Sequence, residues 1–278
     1  AYTQLRTGLS TAPTYLSHTP FRGRMILANG VDAIQTYNGT TMFPLGSKLV
    51  SDCANTPVPG GTWTSGTNDT TNVREGTSAR QLTQAGAGTA TMRVTYTTAQ
   101  NLLTGPQSGD PDFDAAASGD AFRAQVFVTS GAANITSVRF RFYSTYATDY
   151  FEATATGLSA GWNSISLTRN GMTSTAAPVW TAITVFEVRL ITSGTVDLTV
   201  DDCLMQYITR PTPTGNIVVA YNNFLLVADQ SADRVRINYS QVTQIDDFPT
   251  ANFTRVTGGG YSLEQGDRIT ALHVYSSI

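Results

Sequence analysis

Ser137-Val-Arg-Phe-Arg-Phe-Tyr143 alternates polar with apolar residues along its whole length. In an extended chain Arg139 and Arg141 then fall on one face, and Val138, Phe140 and Phe142 on the other. One face of such a strand is wet and the other buried, as in an antiparallel sheet with a single covered side. Ala124-Gln-Val-Phe-Val128 and Phe186-Glu-Val-Arg-Leu-Ile191 repeat the pattern, and Gly, Asn, Asp and Ser punctuate the intervals between such runs. Helical periodicity is nearly absent, with one turn expected near Thr98–Leu103. The expected fold class is all-β.

Composition agrees. Charged residues make up 13% of the 278 positions, against about 25% in ordinary soluble domains. Threonine, serine, glycine and asparagine take their place, and β-branched threonine favours the pleated backbone. Lys48 is the only lysine, the net charge is -3 and the pI is near 5.3. That balance excludes a nucleic-acid binder, which needs a basic stripe to release counterions. No run of about 18 apolar residues offers a membrane-spanning helix, and residues 1–20, broken by Pro13 and Pro20, do not read as a signal peptide. The chain opens at Ala1 without a methionine, so the expectation is a processed chain or part of a longer polypeptide. Two cysteines without a Cys–His cluster make neither a disulfide framework nor a zinc site.

Three pieces follow one another. Residues 1–50 carry Arg24-Met-Ile-Leu-Ala28, the turn Asn29-Gly30, then Ala33-Ile-Gln-Thr-Tyr37 closed by Asn38-Gly39, which is a strong hairpin signal. Residues 51–206 form a longer, irregular β region. Residues 207–278 return to tight meanders: Ile217–Ala220, Phe224–Ala228, Arg234–Tyr239 and a further strand expected over Ile269–Tyr275. The middle piece holds 8 arginines against 13 acids, and the flanks 9 basic against 7 acidic residues. This organisation predicts one fold interrupted by a guest domain, since exposed loop tips tolerate insertion.

Four segments of the middle piece resemble a jelly-roll carbohydrate-binding module of the galactose-binding-like type. They are Glu75-Gly-Thr-Ser-Ala-Arg-Gln-Leu82, the runs Phe122–Val128 and Val138–Tyr143 taken as paired inner strands, Gly161-Trp-Asn-Ser-Ile-Ser-Leu167, and Pro178–Ile183 leading to Val196-Asp-Leu-Thr-Val-Asp-Asp202. Trp162 is expected to cap one end of the core while placing its N–H on a backbone carbonyl. The resemblance implies a structural calcium ion at Asp201 or Asp202 with Glu75 and Gly76 nearby; the plainer reading makes these surface turn residues. Asp110-Pro-Asp-Phe-Asp114 has calcium-loop spacing but lacks the following Gly and Glu, and is read as a disordered acidic loop. A glycan site needs exposed aromatic rings, for which Trp63, Tyr143, Tyr146, Tyr150 and Phe151 are the candidates; core packing is the alternative for each. Since first and last strands of a jelly roll run side by side, Cys53 and Cys203 are either a disulfide at the base of the domain or two buried thiols. A bridge there would close a long loop, worth roughly 4–5 kcal/mol on the chain-entropy model.

The flanks resemble blades of a β-propeller found in bacteriophage tail and virion proteins. The resemblance rests on Asn29–Gly39, Asn222-Asn-Phe-Leu-Leu-Val-Ala228, Arg236-Ile-Asn-Tyr-Ser240, Asp246-Asp-Phe-Pro249 and Gly266-Asp-Arg-Ile-Thr-Ala-Leu272. This is material for two or three blades, whereas closed propellers have about 4–8, and the end at Ile278 directly after an apparent strand is read as truncation. The fold expected is therefore propeller-like meander blades interrupted by a jelly-roll sandwich.

Catalysis is the least supported class. His18 and His273 are the only histidines, and neither a G-x-S-x-G elbow nor a phosphate loop is present. Asp201 and Asp202, as neighbours in a strand, are expected to point to opposite faces rather than flank one bond. The resemblances imply a non-enzymatic component of a virus particle, a phage tail or adhesion-apparatus protein assembled with copies of itself and other virion proteins, whose insert decorates the surface or contacts host glycans. The alternative is a secreted microbial glycan-binding protein.

Overall fold

A computed structural model of the chain describes residues 6–7, 9–10, 16–106, 110–114, 119–208, 210–231, 233–242, 244, 246–248, 253–255, 257–258, 261–262 and 269–272. It is all-β and divides into two compact units. One comprises Ala1–Thr7, Lys48–Gly105 and Asp112–Thr209; the other Gly8–Ser47, Pro106–Pro111 and Arg210–Ile278.

In the second unit, β1 (Ser17–Phe21), β2 (Arg24–Ala28), β3 (Gln35–Tyr37) and β4 (Met42–Pro44) form an antiparallel four-stranded meander. Arg22 and Gly23 both have positive φ between β1 and β2, as the tight primed hairpin turn requires. The two asparagine turns work through their side chains. Asn29 Oδ1 accepts the N–H groups of Val31 and Asp32, and Asn38 Oδ1 those of Thr40 and Thr41.

The first unit is a sandwich built from β5 (Ser47–Ser51), β6 (Gly61–Thr64), β7 (Thr67–Asp69), β8 (Ala79–Gln100), β9 (Ala121–Ser130), β10 (Ile135–Thr145), β11 (Asp149–Ala155), β12 (Gly161–Thr168), β13 (Thr173–Thr175) and β14 (Ile183–Gln206). Its spine is the antiparallel ribbon of β8 and β14, paired from Val185↔Thr95 to Val200↔Arg80. The first half of β14 takes β10 as its other neighbour and the second half takes β9. The change falls around Gly194, which pairs with Gly86, where two residues without side chains let the ribbon fold over. One sheet thus runs β13-β11-β10-β14-β8-β6, and the other β12-β9-β14-β8-β7 with β5 on β14.

The sheets meet through their apolar faces. Phe122 of β9 packs on Phe140 and Phe142 of β10 and Phe186 of β14, with ring centroids 4.9, 5.2 and 5.8 Å away. All four rings are buried, with Met92, Val94, Val126, Leu198 and Val200 around them. The strands read as paired inner strands, β9 and β10, are therefore not hydrogen-bonded to each other. They lie in opposite sheets and share β14, because its change of partner at the glycine pair leaves them on different halves.

The second unit resumes with β15 (Ile217–Tyr221), β16 (Phe224–Gln230), β17 (Asp233–Tyr239) and β18 (Phe253–Arg255), another four-stranded antiparallel meander. Its edge strand β15 lies beside β1: the Ser17 hydroxyl lies 3.1 Å from Val218 N and 3.3 Å from Val218 O, exchanging hydrogen bonds with both. Ile26, Ile34, Leu45, Val218, Leu225, Val227 and Phe248 form the core between them. Asp246, fully buried, accepts the Gly46 N–H at 2.8 Å, and so joins the piece before the sandwich to the piece after it.

Three local expectations change. Thr98–Leu103 is not helical: β8 runs to Gln100, and Asn101 then accepts the N–H groups of Leu103 and Thr104 in a side-chain-capped turn. Ile269–Leu272 is not in a strand, and Gly266–Arg268, His273–Tyr275 and Ile278 lie outside the described residues. Within Asp110–Asp114, Phe113 is buried against Tyr207 and its N–H bonds Leu103 O, so an apolar anchor orders what the acidic spacing alone read as a loose loop.

Candidate functional site

The outer face of the sheet containing β10 carries an unusual density of charge and rings for this chain. Alternation places Arg139, Arg141 and Tyr143 of β10 there, with Tyr150 and Glu152 of β11, Glu187 and Arg189 of β14, and Arg93 of β8. Register then arranges them in rows across the strands. Glu152, Arg141, Glu187 and Arg93 make one row of alternating sign, which cross-strand pairing favours. Tyr150 and Tyr143 stand side by side in the row on one flank, and Arg139 faces Arg189 in the row on the other.

Contacts knit the rows together. Glu152 accepts from Arg141 Nε at 2.5 Å and from Arg139 at 3.2 Å. The Tyr143 hydroxyl donates to Glu187 at 3.1 Å and accepts from Arg141 at 3.3 Å. The Tyr143 ring lies 5.2 Å from that of Tyr146 and 5.1 Å from that of Tyr150. Arginines cover both outer rings, Arg93 lying 4.5 Å from the Tyr146 centroid and Arg141 4.3 Å from that of Tyr150. Arg93 also donates to the Tyr146 hydroxyl. Burial raises the Tyr143 phenol above its ordinary value, the Glu187 charge adds to the rise, and Arg141 opposes it. Burial works against the charge of Arg141, yet hydrogen bonds to Tyr143 and Glu152 leave its guanidinium held more firmly protonated than usual.

Exposed threonines surround this centre: Thr62, Thr64 and Thr95 on the β6 side, Thr173 and Thr175 on the β13 side. Tyr146, in the β10–β11 turn, is 44% exposed. Tyr143 and Glu187 are buried beneath this cluster, so the surface it presents is the Tyr146 ring, the arginine N–H forks and the threonine hydroxyls, which suit a ligand with many hydroxyl groups and apolar C–H faces.

Of the five aromatic candidates, the structure brings Tyr143, Tyr146 and Tyr150 together here. It does not bring the other two. Phe151 alternates with Tyr150 and so faces inward, stacked on Trp180 at 4.1 Å and packed against the core. Trp63 pairs with Val94 on the inner side of β6 and spends its indole N–H on Ala54 O at 2.8 Å. Trp162 is also displaced from expectation. It sits on the outer face of the opposite sheet, edge-on to Phe127 at 5.2 Å and under Arg74 at 4.5 Å, because it is Phe127, not a core residue, that its register places opposite.

The residues expected around calcium do gather, but around a guanidinium. A β-bulge between Asp201 and Leu204, with Asp202 at positive φ, breaks the strict alternation that would separate the two aspartates. Asp202 binds Arg6 at 2.6 Å, and the charges of Glu75 and Asp201 also act on that arginine. The Asp201 carboxylate accepts the N–H groups of Arg74 at 2.6 Å, Glu75 at 3.0 Å and Asp202 at 2.7 Å. Gly76 follows at positive φ. Among the described residues no group of three or more His, Cys, Asp or Glu side chains is arranged to hold a metal ion. With Arg6 bound to Asp202 and three backbone N–H groups bound to Asp201, chelation with EDTA is expected to leave the melting temperature unchanged; a drop of several degrees would place a cation at this cluster.

Cys53 and Cys203 also meet, Sγ to Sγ at 3.7 Å, both fully buried. Burial pushes both thiols up, Cys53 furthest, which disfavours the reactive thiolate. Neither is expected to react with iodoacetamide at pH 8 in the folded chain, and both are expected to react after unfolding without reductant. Labelling of the folded chain contradicts the burial, and silence after unfolding shows a bridge.

No family model and no curated protein matches the sequence. Solved structures are similar in part. A family 11 carbohydrate-binding module from Clostridium thermocellum, in complex with a β-1,3-1,4-mixed-linked tetrasaccharide, aligns at 8% identity over 59% of this chain and 98% of its own, with a TM-score of 0.40. A structure concerned with promiscuous specificity of carbohydrate-binding modules from the β-sandwich superfamily aligns at 14% identity, 65% and 71% coverage and a TM-score of 0.36. A β-1,2-glucanase from Parabacteroides distasonis aligns at 14% identity over 71% of this chain but 27% of its own, with a TM-score of 0.34. At these identities and TM-scores they assign the chain to no family.

Proposed function

We propose that the sandwich is a non-catalytic glycan-binding module carried by a structural component of a virus particle, of the phage tail or adhesion type. The observation that carries the binding part is the outer face on which Tyr143, Tyr146 and Tyr150 cluster with Arg93 and Arg141 amid exposed threonines. A sugar can stack on the exposed Tyr146 ring while its hydroxyls reach the flanking donors and acceptors. The particle part rests on the phage-protein resemblance of the flanking sequence. In this reading copies of the chain and other virion proteins are its partners.

Affinity electrophoresis through gels containing soluble polysaccharides tests the binding. Retardation by at least one polysaccharide is expected, and Tyr146→Ala is expected to weaken it about tenfold, the order of a lost stacking contact of ~1.4 kcal/mol. Its thermal melting should stay near wild type, since Tyr146 is a turn residue outside the core. Light scattering on the full polypeptide tests the assembly: a discrete homo-oligomer supports the particle component, and a clean monomer supports a secreted glycan-binding protein instead.

A further inference from the structure

The outer face has more positive charge than its own carboxylates satisfy. Four guanidiniums, Arg93, Arg139, Arg141 and Arg189, share Glu152 and Glu187. Glu152 is taken by Arg141 and Arg139, while Glu187 accepts from Tyr143 and lies 3.9 Å from Arg189, the outer limit of an ion pair. Arg139 and Arg189 stand directly opposite each other on neighbouring strands, an arrangement that like charges disfavour. The Nε atoms of both are buried without a hydrogen-bond partner. Their side chains remain 37% and 30% exposed, so each fork is reachable from solvent. The positive excess is local, because residues 51–206 as a whole are acidic.

We propose that this face takes an acidic glycan, with the carboxylate of one sugar unit bound between Arg139 and Arg189 and another unit stacked at Tyr146. Two planar guanidiniums side by side supply parallel N–H donors to a single carboxylate, and an anion between them relieves their mutual repulsion. The Tyr143–Tyr150 row lies four residues along β10 from the Arg139–Arg189 row, about 13 Å at the rise of a strand. The ligand is therefore an oligosaccharide rather than one sugar. The inference rests on the glycan-binding reading above and adds the chemical class of the ligand.

The test uses the full chain on an array of neutral, uronic-acid-containing, sialylated and sulfated oligosaccharides, followed by calorimetry on the strongest member. Binding to carboxylated members is expected, falling about tenfold when the carboxylate is methyl-esterified, which corresponds to ~1.4 kcal/mol. Arg139→Gln and Arg189→Gln are each expected to reproduce that fall for the acid and to leave the ester unaffected, with Arg189→Lys intermediate and thermal melting unchanged in all three. Binding that ignores the ester and the arginine variants but is lost in Tyr146→Ala overturns the acidic ligand and leaves the glycan reading standing. Binding confined to sulfated members overturns the carboxylate assignment. Retention on no member of the array overturns both.

Discussion

Phe122→Ala is expected to destabilise the sandwich by about 3–5 kcal/mol, the range for deleting a buried ring. Phe122 is fully buried and touches Phe140, Phe142 and Phe186 of the facing sheet, so its removal leaves a cavity lined by three large side chains. Those rings sit in strands paired on both sides, which limits how far they can collapse into the space. A native domain holds about 5–15 kcal/mol in total, so the variant should unfold at much lower urea. Arg123→Gln, at the neighbouring exposed position, is the control and should change little. A Phe122→Ala loss below about 1 kcal/mol would mean that the two sheets do not pack through this ring.

The second large effect is expected at Arg6. Its guanidinium is 10% exposed and the Asp202 carboxylate 3%, and the pair is 2.6 Å apart. Arg6→Met removes one partner and strands a buried negative charge close to Asp201 and Glu75, which costs about 3–5 kcal/mol. Adding Asp202→Asn should recover most of the loss, since the amide is neutral and asparagine tolerates the positive φ at that position. Urea unfolding of the single and double variants measures the coupling. Equal stability of Arg6→Met and wild type would place Arg6 outside the cluster. A loss that Asp202→Asn does not relieve would assign the cost to the charges of Glu75 and Asp201, which also act on the Arg6 guanidinium.

Much of the fold was legible because strand alternation is a local property. Val138–Phe142 sorts its own residues into a wet and a dry face without reference to any partner. Two aromatic candidates were named without applying that rule, and it places both inward. Phe151 sits between Tyr150 and Glu152, and in a strand the middle residue of three faces away from its neighbours. Trp63 likewise separates Thr62 from Thr64. The site's charged half was present in the alternating runs around Arg139 and Glu187, but not as a site. Its identity depends on β10 pairing with β14, whose facing residues Arg141 and Glu187 are far apart in sequence, and no local signal encodes that register. Arg93 enters through a third strand, β8, in the same way. The bulge at Asp202 was hidden for a related reason: bulges suspend alternation, and nothing in Val200-Asp-Asp-Cys203 announces one.

The most direct test of the central claim is isothermal titration of the full chain with the glycan that it retains best on an array, comparing wild type with Tyr146→Ala. Saturable one-site binding in wild type, weakened about tenfold or more in the variant at unchanged melting temperature, is the predicted result. No binding to any glycan, or binding that Tyr146→Ala leaves intact, would contradict a sugar platform on the outer face of this sheet.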